Sequence, residues 1–367
     1  MTGEQQSNDL LYMPPRRKSR AVSVGRITVG GGAPISVQSM TNTRTSDREE
    51  TLRQVRQLEE AGCDIVRITV PSPEDAVIFD YLHSAGIRVP LVADIHFDYR
   101  AAIESAAAGA DKLRINPGNI GSPDRVKAVA DACRKAGIPI RVGVNGGSLK
   151  KEILEKYGRP CPEALAESAL DEVRALERFD FEDVVVAVKS SSPAAVVAAN
   201  RILSEKCSCP LHIGVTEAGG EKYGVLRSAA GIGALLLDGI GDTIRVSLTA
   251  DPVKEVAAGR TLLDSLSLSP RPRVRVVSCP TCGRTRVGLI PLVEEFEKIA
   301  ETLTPPRNIT VALMGCVVNG PGEAREADLG VACGDGEALL IRKGEKIGKI
   351  AEDRIIPTLL EMIGEIS

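Results

Sequence analysis

Tryptophan is missing from this 367-residue sequence, and five Phe with five Tyr bring the aromatics to only 3%. Binding of single-stranded nucleic acid relies on such rings as stacking platforms, so that class of function is disfavoured. Excess charge is also missing. The 46 Lys and Arg against 49 Asp and Glu leave a net charge of −3, which offers no overall attraction to nucleic acid or to an anionic membrane. An anion site, if there is one, must be built from local charges. No run approaches 18 uninterrupted apolar residues, and the opening segment carries a basic Pro-Pro-Arg-Arg-Lys stretch without an apolar signal core. The expectation is a cytoplasmic protein whose residues 1–20 form a flexible tail. Nine cysteines are an odd number in a chain without a secretion signal, which argues against a disulfide framework and for thiolate or metal chemistry.

What is present is a regular alternation. Between residues 35 and 265, β-branched runs alternate with longer stretches rich in Ala, Leu, Glu and Arg, the pattern of repeated strand–helix units. Eight strands are predicted: Ile35–Met40, Asp64–Val70, Pro90–Ile95, Lys112–Ile115, Pro139–Val144, Asp183–Val188, Leu211–Val215 and Thr243–Leu248. Helical periodicity follows them, as in Ser46–Ala61, Asp124–Ala136 and Pro252–Leu263. Gly62, Gly86, Gly109, Gly137 and Gly239 stand where left-handed helix caps belong. Eight parallel units favour an α/β fold of the (β/α)8 TIM-barrel kind over an open doubly wound sheet. The barrel is expected over 21–263 and a Ser- and Pro-containing linker over 264–273. A small α+β domain over 274–367 is expected to read as strand, Cys loop, helix, strand, Gly-rich loop, hairpin and final helix.

In such a barrel the functional groups stand at the C-terminal ends of the strands. Arg67, Arg114, Arg141, Lys189 and Arg245 fall there on five different strands. Each taken singly could pair with a neighbouring carboxylate. Together they are costly to bury without a bound anion of comparable charge, and a diphosphate suits guanidinium forks best. Asn116, Asn145 and Ser247 add neutral donors. Asp94, His96 and Glu217 also face the mouth, and Glu217 is the foremost acid/base candidate, although a carboxylate there could simply hold an arginine.

The second domain carries Cys279-Pro-Thr-Cys282 in a strand-to-helix turn and a third thiol, Cys316, in a glycine-rich loop that runs to Glu323. Three cysteines and a non-cysteine fourth ligand suit a catalytic iron-sulfur cluster. A structural zinc site of Cys279, Cys282, Cys316 and Cys333 stays open on spacing alone, with a redox-inactive phosphosugar-type barrel as the corresponding function, and a dithiol is a further alternative. Cys63 and Cys133 read as buried small apolar residues, and no role is read for Cys207 and Cys209.

Six segments together resemble the bacterial 4-hydroxy-3-methylbut-2-en-1-yl diphosphate synthases over nearly the whole chain after residue 20. They are Val37-Gln-Ser-Met-Thr-Asn-Thr-Arg-Thr, Val92-Ala-Asp-Ile-His-Phe-Asp-Tyr-Arg, Arg114-Ile-Asn-Pro-Gly-Asn-Ile-Gly, Ile213-Gly-Val-Thr-Glu-Ala-Gly-Gly, Cys279-Pro-Thr-Cys and Gly315-Cys-Val-Val-Asn-Gly-Pro-Gly-Glu. The resemblance implies reductive opening and dehydration of 2-C-methyl-D-erythritol 2,4-cyclodiphosphate in isoprenoid biosynthesis. It implies a [4Fe-4S] cluster on Cys279, Cys282, Cys316 and Glu323, and diphosphate contacts from Arg67, Arg114, Arg141, Asn145, Lys189, Arg245 and Ser247. Glu217 would act from the barrel side and Asn319 from the cluster side, while His96, read from its place after the third strand, is expected either to contact substrate or to be a satisfied hydrogen-bonding histidine. It further implies flavodoxin or ferredoxin as electron donor and a homodimer in which the cluster domain of one subunit serves the barrel of its partner.

Overall fold

The alternation is realised as a ring of eight parallel strands in a computed structural model that describes residues 13–366. They are β3 (Ser36–Met40), β4 (Ile65–Thr69), β5 (Leu91–Asp94), β6 (Lys112–Ile115), β7 (Ile140–Asn145), β8 (Val184–Lys189), β9 (His212–Ile213) and β10 (Thr243–Ile244). Their order is β8-β7-β6-β5-β4-β3-β10-β9, and a parallel bridge between Val186 and Leu211 closes the ring. Every predicted strand is present. The last two are shorter than expected, because the backbone beyond Ile213 and Ile244 turns into irregular cavity-lining segments.

Period-two alternation separates the two faces of the ring. Val66, Ile68, Leu113, Val142, Val186 and Ile244 pack outward with helical residues such as Val55, Leu58 and Val256 in the main core. Helices Arg48–Glu60, Pro123–Ala136 and Pro252–Ser265 fall close to their predicted limits. All five cap glycines have positive φ, and at Gly137 the value of 68° lets its N–H return to the carbonyl of Arg134 at 3.2 Å.

A hairpin of β1 (Val22–Val24) and β2 (Ile27–Val29) precedes the ring. Its Val24 and Val29 are fully buried against Ile65 and Val92, whose parity points into the barrel, so the hairpin plugs one end. The sequence reading missed it, since three-residue strands carry too little periodicity. Residues 1–12 of the expected tail lie outside the described residues. The remainder is not free. Arg17 donates to the carbonyls of Ser204 and Cys209 at 3.1 and 3.0 Å, and Ser19 Oγ donates to Asp242 at 2.8 Å. Buried carbonyls at that end of the barrel thereby gain partners.

The chain divides between Ser269 and Pro270. Because helix Pro252–Ser265 extends into the expected linker, the connection is shorter than predicted. The second unit holds a five-stranded sheet in the order β11 (Val274–Ser278), β12 (Ile309–Met314), β13 (Leu329–Cys333), β14 (Glu337–Arg342) and β15 (Glu345–Ala351). The first three strands are parallel and the last two antiparallel. Helices Leu289–Ala300 and Ile355–Gly364 cover it with Phe296, Leu359 and Met362. Among the described residues no helix is long and apolar enough to cross a membrane.

Candidate active site

At the C-terminal ends of the ring strands the side chains enclose a cavity of about 150 Å³. Its lining includes Arg67, Arg114, Arg141, Asn145, Lys189, Arg245 and Ser247, the seven residues expected to grip a diphosphate, together with His96. Asp94, Gly143, Val144, Ala187 and Thr216 complete it. The register explains the convergence: Arg114 lies opposite both Asp94 and Arg141, Asn145 opposite Lys189, and Arg67 two residues before Thr69, the partner of Asp94.

Two buried carboxylates organise three of the five cations. Asp94 accepts from Arg114 Nη1 at 3.1 Å and lies 3.7 Å from Arg67 Nε. Burial raises the Asp94 pKa, but Arg67 and Arg114 overcome that and hold the carboxyl down at about 2. Glu255, only 4% exposed on helix Pro252–Ser265, receives Arg245 Nε at 3.1 Å, Ser39 Oγ at 2.8 Å and the Leu248 N–H at 2.9 Å. Sequence reasoning passed over Glu255. Its signal was there: the helical period places it with Pro252, Val256, Gly259 and Leu263 on the buried face, where an unpaired glutamate is hardly ever tolerated.

Arg141 and Lys189 are left over. No carboxylate lies within ion-pair distance of either among the described residues, while Arg67, Arg114 and Arg245 share Asp94 and Glu255. Arg141 is 1% exposed, and its Nε and Nη1 have no hydrogen-bond partner. Burial pushes the Lys189 ammonium well below its usual range, and Arg245, Arg141 and Arg67 push the same way. Arg67 is likewise drawn down to about 10 by burial, despite Asp94. Unbalanced, largely buried positive charge of this kind is what a polyanionic ligand would neutralise.

Other expected residues fall elsewhere. Glu217 is exposed and does not line the cavity; its neighbour Thr216 does. Glu217 holds φ at 53°, an unusual conformation for a residue with a side chain. Asn116 spends its oxygen on the Gly118 N–H at 3.0 Å as a helix cap, and the cavity is not lined by it.

In the second unit the thiol-bearing loops leave adjacent parallel strands, with Ser278 opposite Leu313 at the ends of β11 and β12. The Gly315 N–H donates to Cys279 Sγ at 3.3 Å, and Thr285 Oγ1 holds the Cys282 N–H at 3.0 Å. The Cys316 thiol is lowered from its ordinary pKa, chiefly by the Asn319 backbone N–H and then by that of Val318, an arrangement that favours a metal-binding thiolate. Asn319 and Glu323 are exposed on the same loop. The donor types therefore fit an iron-sulfur cluster, although no three potential metal donors converge among the described residues. Cys333, the fourth thiol of the zinc alternative, is buried in the sheet core on β13, and burial pushes its thiol up to about 11.

The GcpE TIM-barrel domain model matches residues 19–260, and the GcpE protein C-terminal domain model matches 275–365. Proteins named 4-hydroxy-3-methylbut-2-en-1-yl diphosphate synthase (flavodoxin) are similar throughout. The one from Ruminiclostridium cellulolyticum is 51% identical across 96% of this chain and 98% of its own. That from Clostridium perfringens is 52% identical across 96% and 99%. Among solved structures, a Yersinia pestis dihydropteroate synthase reaches a TM-score of 0.46 at 15% identity over 67% of this chain and 98% of its own, a likeness on which no argument rests. Matched in both of its units and half identical to these synthases over almost its full length, the chain belongs to the GcpE family.

Proposed function

We propose that the chain is a 4-hydroxy-3-methylbut-2-en-1-yl diphosphate synthase, opening 2-C-methyl-D-erythritol 2,4-cyclodiphosphate with two electrons and loss of water. The observation that carries this reading is the surplus of cations in the barrel cavity, where Arg141 and Lys189 have no carboxylate within ion-pair distance among the described residues. The ring diphosphate would take the place of those missing carboxylates. Arg67, Arg114 and Arg245, already fixed by Asp94 and Glu255, present preorganised donors, so little is lost in ordering them when substrate binds. Asn145, Ser247 and Thr216 supply neutral donors around the same anion, and His96 stands at the rim.

Glu217 would serve as the acid or base from the barrel side, and Asn319 would contact substrate from the cluster side. A [4Fe-4S] cluster held by Cys279, Cys282 and Cys316, with Glu323 on the fourth iron, would supply the electrons. A reduced flavodoxin or ferredoxin would deliver them, and the working enzyme would be a homodimer in the cytoplasm. The test is purification without oxygen, followed by iron, sulfide and zinc analysis and an assay of the cyclic diphosphate with reduced flavodoxin. Close to four iron and four acid-labile sulfide per chain with turnover is the expected result. Stoichiometric zinc without sulfide would overturn the reading.

A further inference from the structure

Below the cavity the inward face of the ring continues with residues the proposed reaction does not use. Two positions before Arg67, Arg114 and Arg245 stand Ile65, Lys112 and Thr243. Cross-strand pairing sets Gln38 beside Ile65, Val92 beside Lys112, and both Ser36 and His212 beside Thr243. The apolar members, Ile65 and Val92, are sealed by Val24 and Val29 of the hairpin.

The polar members are enclosed. Gln38, Lys112, His212 and Thr243 are 0% exposed, Arg141 1% and Ser36 5%. Lys112 Nζ, Arg141 Nε and Nη1, both ring nitrogens of His212, both amide atoms of Gln38, Ser36 Oγ and Thr243 Oγ1 all lack a hydrogen-bond partner among the described residues. Arg141 acts electrostatically on both Lys112 and His212, and Lys112 on His212, so the groups form one neighbourhood. The carboxylate acting on Lys112, Asp111, is committed to the Leu91 N–H at 2.8 Å.

A concentration of orphaned polar atoms at this depth calls for a bound partner, since each one left bare is costly. The chemistry of the set selects it. Lys112, Arg141, the Gln38 amide nitrogen, one imidazole N–H and two hydroxyls donate, whereas only Gln38 Oε1 and one imidazole nitrogen are obligate acceptors. Two residues of strand separate this layer from the mouth, about 6.6 Å. An ion held there would be distinct from one held at the mouth.

We propose that this interior layer is a binding site for a small monovalent anion of the chloride class, held by Lys112, Arg141 and His212 beneath the substrate cavity. Arg141 is shared between the two sites, so the inner ion supplies counter-charge to its buried guanidinium when the cavity is empty. The site stands independently of the diphosphate reading, and the experiment keeps them apart. Crystals of the full chain grown in bromide, measured at the bromine edge, should show an anomalous peak in contact with Lys112 Nζ and Arg141. In solution, chloride replacing gluconate should raise the Tm of the wild-type protein in a concentration-dependent way, and Lys112→Met should abolish both the peak and the dependence. Only ordered waters in the layer would overturn the inner site, as would bromide confined to the mouth among Arg67, Arg114 and Lys189. Neither result would touch the diphosphate reading, which is tested by pyrophosphate binding. If Lys112→Met fails to fold, the wild-type anomalous map decides.

Discussion

Arg141 and Lys189 face the cavity without a carboxylate, so truncating either leaves no opposing protein charge stranded and reports directly on ligand contacts. A charge-assisted hydrogen bond is worth about 1.5–3 kcal/mol. Arg141→Ala should therefore weaken pyrophosphate binding by about one to two orders of magnitude, as titration calorimetry would read. Unchanged affinity would place the anion site elsewhere. Lys189 gives a second prediction through protons. Burial and its cationic neighbours lower its pKa in the free protein, and a bound polyanion must raise it again. Binding should then take up protons above neutral pH, and affinity should fall as pH rises. Calorimetry in buffers of different ionisation enthalpy would measure the uptake, which Lys189→Met should remove. At this scale the mouth was legible, because polar residues ending β-branched runs are conspicuous. Thr216 was hidden beside the more suggestive Glu217, and His212 looked like any strand histidine. Only its buried, unpartnered nitrogens single it out.

Strands β9 and β10 end early, and Gly214 shows why the chain there must stay slim. A β-carbon on Gly214 would lie 2.5 Å from the carbonyl oxygen of Arg245 and 3.2 Å from Lys189 Nζ. Overpacking of this kind costs about 1–3 kcal/mol. Gly214→Ala should lower the barrel's thermal midpoint and also weaken pyrophosphate binding, because relief requires moving the segment that carries Arg245 or the Lys189 ammonium. A lowered midpoint with unchanged affinity would show that the strands adjust without disturbing the cavity. In the second unit, the cysteine loops were readable from spacing, but the role of Cys333 was not. Its buried place in β13 marks it as core, so Cys333→Ala should retain iron and sulfide, whereas Cys316→Ser should lose them. Glu323→Ala should retain a cluster on three thiols while losing most turnover, as iron analysis and spectroscopy beside an assay with chemical reductant would show. Full activity would remove Glu323 from the mechanism.

The whole chain was legible as two parts because a change of period at the end of the barrel is visible in sequence, while the anchoring of residues 16–20 was not. Those contacts join segments far apart along the chain, as Arg17 to Ser204 and Ser19 to Asp242 do, and no local pattern announces them. Each unit has its own apolar core, with Phe79, Leu113 and Val186 in the first and Phe296, Leu313 and Leu359 in the second. The cavity, its five cations and both organising carboxylates all precede Ser269. A chain ending at Ser269 should therefore fold cooperatively by itself and bind pyrophosphate with affinity near that of the full protein, yet carry no iron and show no turnover. The comparison must keep residues 13–20, since Arg16 and Arg17 reach the barrel carbonyls of Ala33 and Ser204 and the carboxylate of Asp242. Circular dichroism and calorimetry on the shortened chain check it. Folded protein without pyrophosphate affinity would mean that the second unit supplies part of the anion site, and the assignment of diphosphate binding to the barrel would then have to be given up.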